Sequence, residues 1–170
     1  YMHGRKYIEE AFTNCLKAGL HLTGLNAEVA PSQWEFQVCT FSIHCCDELH
    51  VMRYIINRTL EQYGLNIDLR PKPIDGDWNG SGCHTNFSTK SMREKHGYDN
   101  ILIAVDRLSK KQDLHIKYYG KDNKKRLTGK HETASWKDFS CGVANRGASI
   151  RIPRQTEHDK RGYFEDRRPA

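Results

Sequence analysis

The sequence lacks an apolar run of membrane-spanning length, a CxxC pair, an internal repeat, a low-complexity segment and a linker rich in Pro, Gly or Ser. Each absence removes a class of protein. Without about 20 consecutive apolar residues there is no helical membrane span. The start, YMHGRKYIEE, has none of the charged, apolar and small-residue zones of a secretory leader. A soluble protein of the cytoplasm is expected, with an organellar form left open. The six cysteines (Cys15, Cys39, Cys45, Cys46, Cys83, Cys141) have no structural zinc spacing, and vicinal Cys45-Cys46 is poor disulfide geometry. They are expected to be reduced packing residues. With no linker, 170 residues are expected to form one domain. Position 1 is not Met and the chain stops at EDRRPA before a helix or strand closes, so a piece of a longer protein is expected.

The net charge of +6 is local, since residues 110–131 hold eight Lys or Arg against two Asp. Base-stacking aromatics are thin there apart from Tyr118 and Tyr119, and no motif for DNA or RNA is present, so no nucleic-acid partner is expected. The patch reads as a solvated face or as a site for a phosphorylated or carboxylated small molecule.

Hydrophobic spacing predicts three helices. Residues 4–18 place Tyr7, Ile8, Ala11, Phe12, Cys15 and Leu16 on one face and stop at Gly19. The second runs from Asp47, as N-cap, through Leu49, Met52, Ile56, Leu60 and Tyr63 to Gly64. A third spans 99–110, with Leu102, Val105 and Leu108 inward. Strand-like runs are LHLTG, NAEVA, WEFQV, LNIDLR, CHTNFS, ASIRIP and GYFED. Adjacent strands alternating with long single helices predict an α+β fold with a curved, largely antiparallel sheet and flanking helices.

Five segments carry candidate chemistry. In NAEVAPSQWEF, a hairpin turning at Pro31-Ser32 sets Glu28 opposite Glu35, and opposed carboxylates call for a cation between them. A different register would leave both solvated, and Pro-Ser is not a favoured two-residue turn. GDWNGSGCHTNFSTKSMR fits neither a P-loop nor a dinucleotide fingerprint. Its Gly80 and Gly82 would let a ligand carboxylate or phosphate reach backbone N–H groups, with Asn79 alongside. His84 opens a strand on whose face Asn86 and Ser88 also lie, and a lone strand histidine is more often a core residue than a ligand. RLTGKHET, GVANRGASIR and GYFEDRRP gather Arg126, Arg146, Arg151, Arg167 and Arg168 near Glu132 and Glu165. Arginines beside carboxylates suit an oxyanion site; singly, each reads equally as a surface ion pair.

Taken in order, NAEVxPxQWEFQV, KPIxGDWNGxGxHTNxSTKSMR, RLTGxHET, GVANRGASIR and GYFEDRRP resemble the catalytic domain of the eukaryotic-type (class II) glutamine synthetases. The resemblance covers essentially all 170 residues. It implies a partial ATP- and glutamate-binding domain at 1–170, without the family's amino-terminal domain and carboxy-terminal remainder. It also implies a ligase in which ATP phosphorylates the side chain of L-glutamate and ammonia displaces phosphate, giving L-glutamine with Mg²⁺ or Mn²⁺. By motif position, Glu28 and Glu35 are ligands of one metal; His84 and Glu165 are ligands of the metal next to the nucleotide. Asp77, Trp78, Asn79, Gly80, Arg126, Arg146 and Arg167 fall at glutamate-binding positions. Glu35, Asn86, Phe87, Ser88, Arg93, Arg146, Arg151, Tyr163 and Phe164 fall at ATP-binding ones. Arg146 would stabilise the transferring phosphoryl group, and Glu132 sits on the flap that closes over the site. A homo-oligomeric ring is implied too.

Two departures stand out. After WEFQV the family continues Gly-Pro, whereas Cys39-Thr40-Phe41 follow here; and the loop before RLTG is short. Three other readings compete: a ligase for an amine other than ammonia, a non-catalytic structural descendant of the fold, and a basic nucleic-acid module.

Overall fold

The computed structural model describes residues 3–170, and the chain divides into two compact units at the junction of Asp68 and Leu69. The junction falls inside LNIDLR, whose alternation predicted a strand; none forms there.

The first unit has the order α1 (Arg5–Lys17), β1 (Leu22–Ala27), β2 (Trp34–Val38), α2 (His44–Glu61). Both helices stop where expected, by one device. Gly19 (φ 84°) and Gly64 (φ 67°) take left-handed conformations that a side chain would oppose. The next N–H then reaches back, from Leu20 to the Cys15 carbonyl and from Leu65 to that of Leu60, each at 3.1 Å. Ile8, Ala11 and Cys15 of α1 meet Met52, Ile56 and Leu60 of α2 and Leu22 of β1 in one core. Helix α2 begins three residues before the predicted Asp47, with Ile43 as its N-cap; Asp47 lies instead in the first turn, where its charge still complements the helix dipole. LHLTG and NAEVA are one strand, interrupted by a bulge between Leu22 and Gly24.

The second unit carries β3 (Thr85–Phe87), α3 (Lys90–Arg93), α4 (Gly97–Ser109), α5 (Gln112–Tyr118), β4 (Cys141–Val143), β5 (Ile150–Ile152), α6 (Arg154–Asp159) and β6 (Phe164–Asp166). The sheet order is β3-β6-β5-β4, antiparallel except for the β4–β5 pair, as the predicted α+β class requires. Helix α4 buries Ile101 and Val105 against Ile150, Ile152, Phe164 and Met92. The seam is therefore 101, 105, 108 and not 102, 105, 108; Leu102 is exposed. A four-residue step keeps to one helical face better than two successive threes.

All six cysteines are free thiols, but only Cys15 belongs to a core, and burial pushes its thiol up to about 11. Cys39, Cys46 and Cys141 are exposed, so the packing role expected of the set holds for one member. Among the described residues no helix is long and apolar enough to cross a membrane.

Candidate functional site

In the first unit the hairpin register pairs Asn26 with Glu35 and Ala27 with Trp34, and the Glu28 N–H meets the Gln33 carbonyl at 2.9 Å. The turn therefore spans four residues, Val29 to Ser32, not the two expected. Proline holds its φ negative, whereas a tight hairpin turn of the favoured kind needs positive φ at its first central residue. The register differs from the predicted one by two residues, so strand alternation leaves Glu28 and Glu35 on the same face as diagonal neighbours. The Asn26 amide bridges them, with Nδ2 donating to Glu28 Oε1 at 2.9 Å and Glu35 Oε2 at 3.0 Å. Two exposed carboxylates sharing one donor make a hard-oxygen donor pair.

In the second unit alternation divides the sheet. Ile150, Ile152, Phe164 and Asp166 face inward, while Arg151 and Glu165, a matched pair across β5 and β6, face the other way. Glu165 is the centre of that outer row, with Asn86 paired to it from β3 and Gly142 beyond Arg151 on β4. Its Oε1 accepts from Arg167 Nη1 at 2.7 Å and lies 3.4 Å from His84 Nδ1; its Oε2 accepts from Arg151 Nη1 at 3.1 Å. Burial, and then the charges of Arg167, Arg126, Arg151 and Arg146, push His84 down to about 3. The imidazole is thus neutral at pH 7, the form that ligates a metal. Among the described residues no three His, Cys, Asp or Glu side chains converge on a metal position. A neutral imidazole beside a carboxylate, like the Glu28 and Glu35 pair, suits a cation that keeps waters and takes its remaining ligands from substrate oxygens.

The arginines differ sharply in freedom. Arg167 is buried and every nitrogen has a partner: Nη1 on Glu165, Nε on the Arg146 carbonyl at 3.0 Å and Nη2 on the Glu132 carbonyl at 3.3 Å. Arg126 is buried too, and its Nη2 donates to the carbonyls of Arg167, Arg168 and Pro169. Burial, then Arg167, lowers its pKa to about 10, which leaves it charged at neutral pH. Neither offers the open fork expected of a bidentate carboxylate clamp. Arg146 is exposed and faces Glu132 at 3.4 Å. His131 and Glu132 hold successive left-handed conformations (φ 53° and 58°), a sharp reversal in the RLTGKHET loop.

Two pockets open in this unit. One, of about 340 Å³, is lined by Asp77, Trp78, Gly80 and Arg126 together with Lys72, Lys125, Lys130 and His131. His131 Nε2 lies 2.9 Å from Asp77 Oδ1, and Lys72 Nζ donates to the Trp78 carbonyl. Asn79 is half-buried within the same loop. Gly80 has a local reason: a Cβ there would lie 2.5 Å from the Pro71 carbonyl and 2.4 Å from Arg126 Cγ. The second pocket, about 200 Å³, is lined by Asn86, Phe87, Ser88 and Tyr163. Arg93 Nη1 donates to Ser88 Oγ at 3.1 Å, and that hydroxyl donates to the Gly162 carbonyl at 2.6 Å. Phe87 and Tyr163 are partly exposed, flat surfaces against which a planar ring can stack. Phe164 instead packs in the core, 5.4 Å from Phe87 between ring centres, and does not line this pocket.

Sequence reasoning passed over His131 and Lys72, although both lie within the quoted motifs; neither spacing nor residue type distinguishes them from surface groups. It also counted Arg168 among the oxyanion-site arginines, whereas the structure places that residue in a buried layer of the same unit. There Arg168 is buried between Asp166 (2.8 and 2.6 Å), Gln112 (2.6 Å) and the rings of Tyr119 and Phe139.

A family model described as glutamine synthetase, catalytic domain, matches residues 2–120. The glutamine synthetase of Saccharomyces cerevisiae is 56% identical over 171 residues, covering 99% of this chain and 46% of that protein. Glutamine synthetase root isozyme 1 of Zea mays is 54% identical over 168 residues (98% and 47%), and the Mus musculus glutamine synthetase 53% over 174 (99% and 46%). The chain thus spans about half the length of the curated relatives it matches. With the motifs in order, the α+β fold and these identities, the chain belongs to the glutamine synthetase catalytic-domain family.

Proposed function

We propose that this chain is the part of an ATP-dependent glutamate–ammonia ligase that holds both substrates, making L-glutamine through a γ-glutamyl phosphate. Family membership supports this reading, and the single observation that carries it is Glu165. A carboxylate at the centre of a sheet face, beside a neutral histidine and two arginines, suits the charge of a metal-bound triphosphate.

The lysine-rich 340 Å³ pocket would take L-glutamate. Its ammonium would approach the Asp77 side and its carboxylate Arg126. The 200 Å³ pocket would take the nucleotide ring between Phe87 and Tyr163, with Asn86, Ser88 and Arg93 at its polar rim. Arg151 Nε is buried without a hydrogen-bond partner. Such an N–H costs about 1–3 kcal/mol, and a phosphate oxygen would relieve it.

His84 with Glu165, and Glu28 with Glu35, would hold divalent cations such as Mg²⁺ or Mn²⁺. When bound, such ions screen phosphate charge and polarise the phosphoryl group. Arg146, exposed and beside Glu132, would stabilise the charge that grows on the transferring group. The backbone contact from Arg167 sets the Glu132 flap, so the residue that orients Glu165 also positions the cover that excludes water from the acyl phosphate. Assembly as a homo-oligomeric ring belongs to the same proposal.

The test is phosphate release from ATP by the full-length protein, with Mg²⁺ or Mn²⁺ and L-glutamate, comparing ammonium with a panel of amines. Release that requires glutamate and is fastest with ammonium is expected. Preference for another amine would reassign the acceptor, and absence of Mg²⁺-dependent ATP binding would point to a structural descendant of the fold.

A further inference from the structure

Asn123 is 1% exposed and opens a short 3-10 turn, Asn123–Lys125, just before Arg126. Its side chain is fully engaged. Oδ1 accepts the Arg126 Nε–H at 3.2 Å, while Nδ2 donates to the carbonyls of Tyr119 at 3.0 Å and Arg168 at 2.6 Å. A carboxamide supplies one acceptor and two donors at this size. An apolar side chain of equal volume would leave a buried charged N–H without its partner, while the two carbonyls would keep only the Ala170 N–H and Arg126 Nη2 as donors.

The consequence lies in Arg126. Its Nη2 is already held by the carbonyls of Arg167, Arg168 and Pro169 at 3.1, 2.9 and 2.9 Å. With Nε fixed by Asn123, the Nε–Nη2 edge of the guanidinium is wholly occupied by the protein. The Nη1 arm is turned toward the glycine loop, where a Cβ on Gly82 would lie 2.8 Å from Nη1 and 3.0 Å from His84 Nε2.

We propose that Asn123 is a positioning residue that locks the Arg126 guanidinium, so that Nη1 alone is presented to a carboxylate of the amino-acid substrate. The inference rests on the assignment of the Arg126 pocket to glutamate. One arm held rigidly makes a single, directed contact at little entropic cost, in place of a flexible two-armed grip. A pocket built this way selects by where the carboxylate oxygen sits.

The test uses the full-length enzyme with Asn123→Ala and Asn123→Asp. Loss of the lock in Asn123→Ala should raise KM for glutamate about tenfold, the scale of one hydrogen bond to a charged group. KM for ATP should be unchanged, and kcat should change less than KM for glutamate. Asn123→Asp keeps the acceptor for Nε and should recover part of the loss. A merely structural role would lower thermal stability and active fraction in both variants with KM for glutamate unchanged, and that result overturns the proposal. Crystal structures decide it independently of turnover: the Arg126 guanidinium should move in Asn123→Ala, and an unmoved guanidinium overturns the lock. Absence of glutamate-dependent turnover in the parent enzyme would count against the ligase assignment and leave the structural comparison to judge the lock.

Discussion

Arg168 and Asp166 form a doubly bonded ion pair, at 2.8 and 2.6 Å, with the arginine 1% and the aspartate 6% exposed. Asp166 follows Glu165 on β6 and faces inward, and Tyr119 and Gln112 complete the pair through hydrogen bonds of 2.9 and 2.6 Å. Removing one partner from a buried pair strands the other charge, which typically costs about 3–5 kcal/mol. Arg168→Met should therefore unfold at markedly lower denaturant concentration. The double variant Arg168→Met/Asp166→Asn should regain part of that loss, because the stranded charge is gone. Losses that simply add would contradict this account.

Asn26 joins Glu28 and Glu35 through one amide. In Asn26→Ala the two carboxylates lose their shared donor and repel, so the metal-free protein should melt lower than the parent. Saturating Mg²⁺ or Mn²⁺ should narrow that gap, since a cation between the carboxylates screens the repulsion that the lost amide donor had relieved. Thermal melts with and without metal check this, and a gap unaffected by metal would contradict a cation position there.

At Gly80 the constraint is backbone crowding, and φ is not in the left-handed region. In Gly80→Ala the methyl would press on the Pro71 carbonyl and Arg126 Cγ, and overpacking of this kind costs about 1–3 kcal/mol. Denaturant unfolding measures the loss, and KM for glutamate in the full-length enzyme should rise as Arg126 shifts.

Two histidines give the second unit an acid-sensitive stability. His115 is lowered by burial and then by Arg168, and His84 is lowered to about 3 by burial and then by Arg167. Both are depressed below the ordinary value of 6.5. Between that value and the folded pKa the unfolded chain binds protons that the folded chain does not, so stability is full above about pH 6.5 and falls as pH drops. His115→Gln, which cannot be protonated, should lose less stability than the parent between pH 7 and pH 4.5. Equal losses would show that His115 takes up its proton over the same pH range in the folded and unfolded chain, and would contradict the depressed value.

Periodicity made the long elements legible. Helices α1, α2 and α4 follow from apolar spacing, and two of their stops from glycines whose left-handed φ the spacing placed correctly. Of the short elements, β3, β5 and β6 lie within the predicted runs CHTNFS, ASIRIP and GYFED, whereas α3, α5, α6 and β4 escaped because they are too brief for a period to register. The hairpin shows the limit of turn chemistry: Pro31-Ser32 marked the place but not the loop length, and the register error of two happened to preserve the face. The motifs brought Glu165, His84, Arg126 and Arg167 to notice as residue types. What they are bonded to could not be read, because carbonyls of Arg146, Glu132 and Arg168 carry no sequence signature. For the same reason Asn123 looked like any turn asparagine.

The most direct test of the central claim is Glu165→Ala in the full-length protein, assayed for glutamate- and ammonium-dependent phosphate release with Mg²⁺-ATP. Loss of the carboxylate shared by His84, Arg151 and Arg167 should lower turnover by about 100-fold or more, the scale of removing one preorganised electrostatic partner. Near-normal turnover in a folded Glu165→Ala enzyme would contradict the assignment of this sheet face as the catalytic centre.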